Sequence, residues 1–112
     1  MFNDPWNKTL ELDCGIFEDY IRSHSTDPKK VDVQYVFQFR NGYGASVIKF
    51  QGSYGYEADL WELAVIRFDE DGASWELCYD TPIGDDVFGW CTDEKVRELL
   101  GLIKYLPGCE EE

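Results

Sequence analysis

Residues 31 to 40 alternate strictly. Val31, Val33, Tyr35, Phe37 and Phe39 fall on one parity, and Asp32, Gln34, Val36, Gln38 and Arg40 on the other. A period of two is the signature of a strand with one buried face. Asn41-Gly42 follows at once, and these two residues tolerate the positive φ angles of a tight type I′ hairpin. A two-residue turn sets Phe37 opposite Ser46, Tyr35 opposite Ile48 and Val33 opposite Phe50 in a second strand from Ala45 to Phe50. Gln34, Gln38, Arg40 and Lys49 are then expected on the reverse face, toward water. A hairpin of this kind must cover its apolar side with another layer.

Both flanks supply such a layer. Asp13 reads as an N-cap, with Leu12 and Phe17 placed as a hydrophobic staple and Ile16, Phe17, Tyr20 and Ile21 on one face of a short helix. The turn formers from Ser23 to Asp27, closed by Pro28, are expected to end it. Residues 51–59 read as a loop, with Tyr54 and Tyr56 exposed to some degree. Leu60–Phe68, apolar on both faces, is placed centrally. Asp69-Glu70-Asp71-Gly72 turns the chain into a strand whose core face is Trp75, Leu77 and Tyr79. Thr92 caps a last helix with Asp93 and Glu94 in its first turn. Its apolar stripe is Val96, Leu99, Leu100, Ile103 and Leu106, and Pro107-Gly108 stops it. The expected fold is a two-layer α+β domain over residues 1–109: an antiparallel four-stranded meander with the helices packed on one face, followed by an acidic tail, 110–112. By strand parity Trp61, Leu63, Val65 and Arg67 share the opposite face with Glu76, Cys78 and Asp80. That face is expected to be either an apolar surface rimmed by acids or one covered by a terminal segment.

Charge is distributed unevenly. Residues 57–94 carry twelve carboxylates against Arg67 alone, whereas 28–50 carry a net +3, within a total of −13. A hydrophobic content of 44% still sets the chain apart from disordered acidic sequences. No apolar run nears the roughly 20 residues of a membrane span, and Met1 to Trp6 does not resemble a secretory signal. The net charge disfavours direct contact with nucleic acid or an anionic membrane. Cys14, Cys78, Cys91 and Cys109 are widely spaced and accompanied by one histidine, His24, so free thiols in a cytoplasmic protein are expected rather than a zinc site. A Cys14–Cys109 disulfide is the alternative pairing.

A meander sorts its loops, placing the 41–44 and 69–72 turns at one end and 51–59 with 80–91 at the other. The second end therefore gathers Tyr54, Tyr56, Asp80, Asp85, Asp86 and Trp90, a candidate small-molecule or divalent-metal site. Asp80-Thr81-Pro82-Ile83-Gly84-Asp85-Asp86 lacks the ordered ligand spacing of a calcium loop, and a turn with solvated acids explains it as well. Gly42-Tyr43-Gly44-Ala45-Ser46 lies in a hairpin with no helix to receive a phosphate. His24 reads as a solvated residue at a helix end, and Trp61, Trp75 and Trp90 read as core more than as a ligand platform. No nucleophile, metal motif or cofactor loop emerges, so a non-enzymatic protein without cofactor or metal is expected.

What remains is the acidic surface. Glu57, Asp59, Glu62, Asp69, Glu70, Asp71, Glu76, Asp80, Asp85 and Asp86 are the candidate partner-binding residues. Carboxylates two apart on a strand lie about 6.8 Å apart, close to the phosphate spacing of nucleic acid, so such a surface can occupy a nucleic-acid channel. A homodimer or assembly subunit pairing through an open sheet face is a further alternative. The stretches Phe39–Val47, Leu60–Val65 and Cys78–Val87 resemble small acidic proteins encoded by bacteriophages and prophages. That resemblance implies a context, the cytoplasm of a bacterial host, and favours modulation of a host protein; the acidic surface makes a basic, nucleic-acid-handling protein the expected partner. It implies no activity and no site residue.

Overall fold

The computed structural model describes residues 11–27, 32–84 and 86–107. It is an α+β fold in which β1 (Ile21–Asp27), β2 (Asp32–Gln38), β3 (Tyr43–Lys49), β4 (Trp61–Phe68) and β5 (Trp75–Leu77) form an antiparallel meander. A sixth strand, β6 (Phe88–Cys91), pairs with β4 as well, and one helix, α1 (Asp93–Lys104), packs against the sheet. The meander thus has one strand more than the four expected and the sheet two more, and the helical layer is α1 with short 3₁₀ turns.

The additional first strand occupies the segment that reads as a turn. Ser23, His24, Ser25 and Thr26 pair with Val36, Tyr35, Gln34 and Val33, after a bulge between Ile21 and Ser23. The strand lies at the sheet margin, so its side chains are mostly exposed and show no apolar alternation. His24 is therefore not at a helix end; its ring stacks on Tyr35 with centroids 3.9 Å apart. The expected N-terminal helix shrinks to a 3₁₀ helix, Gly15–Tyr20, that follows Cys14 without a side-chain cap. Gly15 has φ +59°, which an α-helix beginning at Asp13 could not accommodate. Phe17 is buried, Ile16 is 84% exposed, and Ile21 belongs to β1.

The hairpin between β2 and β3 carries the largest correction. Its loop is Arg40–Gly42, three residues rather than two: the Phe39 N–H donates to Tyr43 O and the Gly42 N–H to Phe39 O. Gly42, at φ +90°, takes the left-handed position that such a loop assigns to glycine. Phe37 therefore pairs with Ala45, Tyr35 with Val47 and Val33 with Lys49. A slip of one residue turns a strand over. Ala45, Val47 and Lys49 face the core, while Ser46 and Ile48 turn to the far face. Lys49, expected in water, is 1% exposed.

The main core lies between the sheet and α1. Val33, Tyr35, Phe37, Ala45, Val47, Trp61, Leu63 and Val65 meet Val96, Leu99, Leu100 and Ile103 there. The face assigned to Trp61, Leu63 and Val65 is thus the covered one, and the strand after Asp69–Gly72 presents the opposite side to solvent. Leu77 pairs with Ile66 and Trp75 with Phe68, so both lie on the far face, where Val36, Ile66 and Phe68 form a smaller buried cluster. Trp75, Leu77 and Tyr79 are exposed, and Cys78 is the residue that turns inward.

Both ends of α1 are pinned. Thr92 Oγ1 accepts from the Lys95 N–H at 3.0 Å, as its sequence signature predicts. Asp93 accepts from Trp61 Nε1 at 2.7 Å and from the Asp13 N–H at 3.1 Å, tying helix, central strand and N-terminal segment together. At the other end Asn41, in the hairpin loop, donates Nδ2 to the carbonyls of Ile103, Lys104 and Leu106 at 2.9–3.1 Å. Its Oδ1 accepts from the Tyr43 N–H. A turn residue therefore satisfies the terminal carbonyls that a helix cannot satisfy itself. Asn41→Ala is expected to lower the unfolding free energy by about 1–3 kcal/mol, and Asn41→Asp, which faces carbonyls with no donor, by more. Urea unfolding of both variants checks this; an Asn41→Asp protein as stable as the parent would contradict it.

Candidate functional site

Two places on the molecule combine exposed charge or aromatic surface with a built backbone, and they lie at opposite ends of the sheet. The first is where the β2–β3 and β4–β5 turns meet, as the loop sorting of a meander predicts. The Phe68 N–H donates to Gly42 O across the two turns. Together with Asp19 and Tyr20 they enclose an open groove of about 1150 Å³. That is above the usual range for small-ligand pockets. Five carboxylates line it, Asp19, Asp69, Glu70, Asp71 and Glu76, against Arg40 and Arg67.

The acidic turn is rigidly made. Asp69 Oδ1 accepts from the N–H groups of Ala73 and Ser74 at 3.2 Å, and Asp71 Oδ1 accepts from Ala73 N–H at 2.9 Å. Gly72, at φ +72°, lets the chain reverse beneath them. The Ala73 N–H holds the Asp71 carboxyl below the ordinary carboxylate value, so it stays charged. Arg67 lies 3.3 Å from Glu76. Arg22 reaches from β1 to Gln38 and to the Ala73 carbonyl, and its guanidinium lies over the Phe68 ring.

The second place is the 51–59 loop. Tyr54 and Trp90 stack there with ring centroids 5.5 Å apart and planes 16° apart, both rings largely exposed. The Trp90 N–H donates to Tyr54 O at 3.2 Å, and the Tyr54 N–H to Glu62 Oε1 at 2.8 Å. Trp90 has φ +52°, a conformation that costs a bulky residue about 1–3 kcal/mol. At the same end of the sheet, Lys49 Nζ sits 2.9 Å from Asp59 Oδ1 and 4.2 Å from the centre of the Trp61 ring. The Tyr56 ring is buried, and burial, then the Asp32 and Asp59 carboxylates, push its hydroxyl pKa up.

The candidate residues thus divide. Asp69, Glu70, Asp71 and Glu76 converge on the groove. Glu57, Asp59 and Glu62 belong to the opposite end, where Asp59 is engaged by Lys49 and Glu62 by Tyr54. Of the proposed ligand set, Tyr54 and Trp90 meet, whereas Tyr56 packs inward. Asp80 accepts from the Cys78 thiol beside the middle of β4, where Cys78 N–H donates to Val65 O. Asp86 bonds its neighbouring Val87 N–H, and Asp85 lies outside the described residues. Among the described residues no three His, Cys, Asp or Glu side chains are grouped to hold a metal ion. Sequence reasoning missed Asp19, Tyr20 and Arg40 as groove residues; the only available signal was that the 41–44 and 69–72 turns share an end. Of the tryptophans among the described residues, Trp61 is core and Trp75 and Trp90 are surface. No helix among the described residues is long and apolar enough to cross a membrane.

Comparison with protein-family models, curated proteins and solved structures finds no match for this chain.

Cys14, Cys78 and Cys91 are buried free thiols, and Cys109 lies outside the described residues. Burial pushes all three pKa values up, that of Cys91 to about 11. The unfolded chain releases the Cys91 proton near its ordinary value of 9.0 and the folded chain holds it to about 11. Stability from this thiol is therefore complete below 9 and is lost as the pH rises across that window. In a Cys109→Ser background the thiols are expected to resist iodoacetamide at about pH 8 until denaturant is added. Rapid native-state alkylation of Cys91 would contradict the packing.

Lys49 offers a second test. Lys49→Ala removes the buried stem and the ion pair together and is expected to cost about 3–5 kcal/mol. Lys49→Met, which keeps the stem against Trp61, is expected to recover roughly half or more of that loss. A methionine variant as unstable as alanine in urea would show that the charge pair dominates.

Proposed function

We propose that this chain is a small, non-enzymatic, phage-type acidic protein that binds a basic host protein in the bacterial cytoplasm and modulates it. The observation that carries the reading is the groove between the two turns, with five carboxylates against two arginines. A surface of this kind raises the encounter rate with a positively charged partner and discourages anionic ones. The Asp69-Glu70-Asp71 turn adds closely spaced negative charges on a fixed backbone, which is what a mimic of a phosphate chain needs. A nucleic-acid-handling protein, with its own basic channel, is therefore the partner class of choice. The resemblance of Phe39–Val47, Leu60–Val65 and Cys78–Val87 to phage proteins supports the bacterial setting.

The test is affinity capture from bacterial lysate with tagged protein, at low salt and at about 0.5 M salt, where screening shortens to a few ångströms. A parallel variant carries Asp69→Asn, Glu70→Gln, Asp71→Asn and Glu76→Gln, which keeps the turn-forming oxygens and removes the charges. One basic protein, held at low salt, released at high salt and retained about tenfold less by the variant, is the expected result. Capture of nothing at either salt, or equal capture by the variant, would refute the reading.

A further inference from the structure

The Tyr54–Trp90 pair stands apart from the core, the groove and every ion pair described above, yet the chain goes to some length to build it. Trp90 is 63% and Tyr54 55% exposed, although other aromatic side chains of this protein, such as Trp61 and Phe37, are fully buried. Two glycines make the stack sterically feasible. A side chain at Gly89 would come within 2.5 Å of Tyr54 Cβ, and one at Gly55 within 2.9 Å of the Trp90 backbone. Trp90 itself is turned outward through a left-handed backbone, φ +52°, held by its N–H bond to Tyr54 O. Glu62 completes the arrangement by accepting the Tyr54 N–H, which places a carboxylate at the base of the ring pair.

We infer that the Tyr54–Trp90 stack is an anchor for an arginine side chain of a basic polypeptide, with Glu62 supplying the negative charge beside it. The inference rests on the reading that the partner is basic, and it adds a contact at the opposite end of the sheet from the groove. The occupant follows from charge complementarity and shape. A stacked ring pair presents flat π faces that accept planar groups, and the net charge of −13 repels the phosphates of a nucleotide or nucleic-acid ligand. A guanidinium is planar, permanently charged and weakly hydrated, and it stacks on tryptophan and tyrosine better than a compact ammonium does. Its remaining N–H groups can meet a carboxylate in the same contact.

The experiment is a titration of the full chain, labelled with ¹⁵N, by a tetra-arginine peptide, with tetra-lysine and tetra-citrulline peptides as controls. The tetra-arginine peptide is expected to shift the Trp90 indole N–H signal, assigned from its absence in Trp90→Gly, and to bind about tenfold more tightly than tetra-citrulline. Trp90→Gly removes the ring at a position whose backbone already favours glycine, so the fold is retained; Tyr54→Ser provides an independent second variant. Each is expected to weaken tetra-arginine binding about fivefold while the groove variant leaves the Trp90 shift in place. Equal binding of arginine and citrulline peptides, equal binding of arginine and lysine peptides, or unchanged affinity in both ring variants would overturn the inference. Capture of a basic protein from lysate with no loss in Trp90→Gly would overturn the anchor while leaving the proposed function standing. Capture of nothing would remove the proposed function itself, whatever the peptides do.

Discussion

The loop Arg40–Gly42 is the constraint on which the rest of the molecule depends. Its length sets the register of β3 on β2, and through β3 it sets which parity of β4 meets the helix. One residue fewer would exchange Ala45, Val47 and Lys49 for Ser46 and Ile48 on the core side. The same loop supplies Asn41, whose side chain closes the end of α1. Register and helix docking are therefore decided together, by adjacent residues: Gly42 supplies the backbone angle and Asn41 the donor. A hairpin turn acting as a helix cap makes the two layers a single cooperative arrangement rather than two elements in contact.

Lys49 is the consequence of that register. A lysine on the core side must bring its own counter-charge, and Asp59 provides it from the following loop at φ +62°. The stem fills space beside Trp61, and the ammonium lies over the indole face. Desolvation of a charge is tolerated only when paired, so the 51–59 loop is drawn down onto the sheet at this point. Tyr54 stands on this loop, whose other end is held by that ion pair, and Trp90 meets it from β6.

What was legible in the sequence were the elements with strong period and clear ends. Residues 32–38 alternate, 61–68 are apolar on both faces, and α1 has Thr92 at its start and a stripe of Val96, Leu99, Leu100 and Ile103. Asp69–Gly72 was recognisable as a turn for the same reason. β1 was hidden because a marginal strand needs only backbone partners, and Ser23, His24, Ser25 and Thr26 carry the composition of a turn. Facing is not legible in the pattern because it depends on loop length, and Asn41-Gly42 is compatible with both a two-residue loop and the three-residue loop that begins at Arg40. Trp75 and Leu77 read as core on hydrophobicity, yet β5 is three residues long and the residue that turns inward is Cys78, just after it. At the site, the grouping of Asp69, Glu70, Asp71 and Glu76 followed from their nearness in sequence. The remaining carboxylates were scattered by topology: Glu57, Asp59 and Glu62 precede or open β4, and Asp80 leaves the sheet at its middle.

That departure at Asp80 has a bearing on how copies of this chain coexist. β5 and β6 share one side of β4, β5 along Ile66–Phe68 and β6 along Trp61–Leu63, and the chain leaves the ladder after Cys78. The opposite margin, β1, is bulged between Ile21 and Ser23 and carries exposed Arg22 and His24. Among the described residues one margin is interrupted and the other bulged near its start, and both features shorten the flat row of backbone donors and acceptors that templates cross-β stacking. A chain rich in aromatic strands is thereby shielded from fibril growth by broken margins as well as by like-charge repulsion. Its exposed Trp75 and Leu77 can make contacts through their side chains without recruiting another strand.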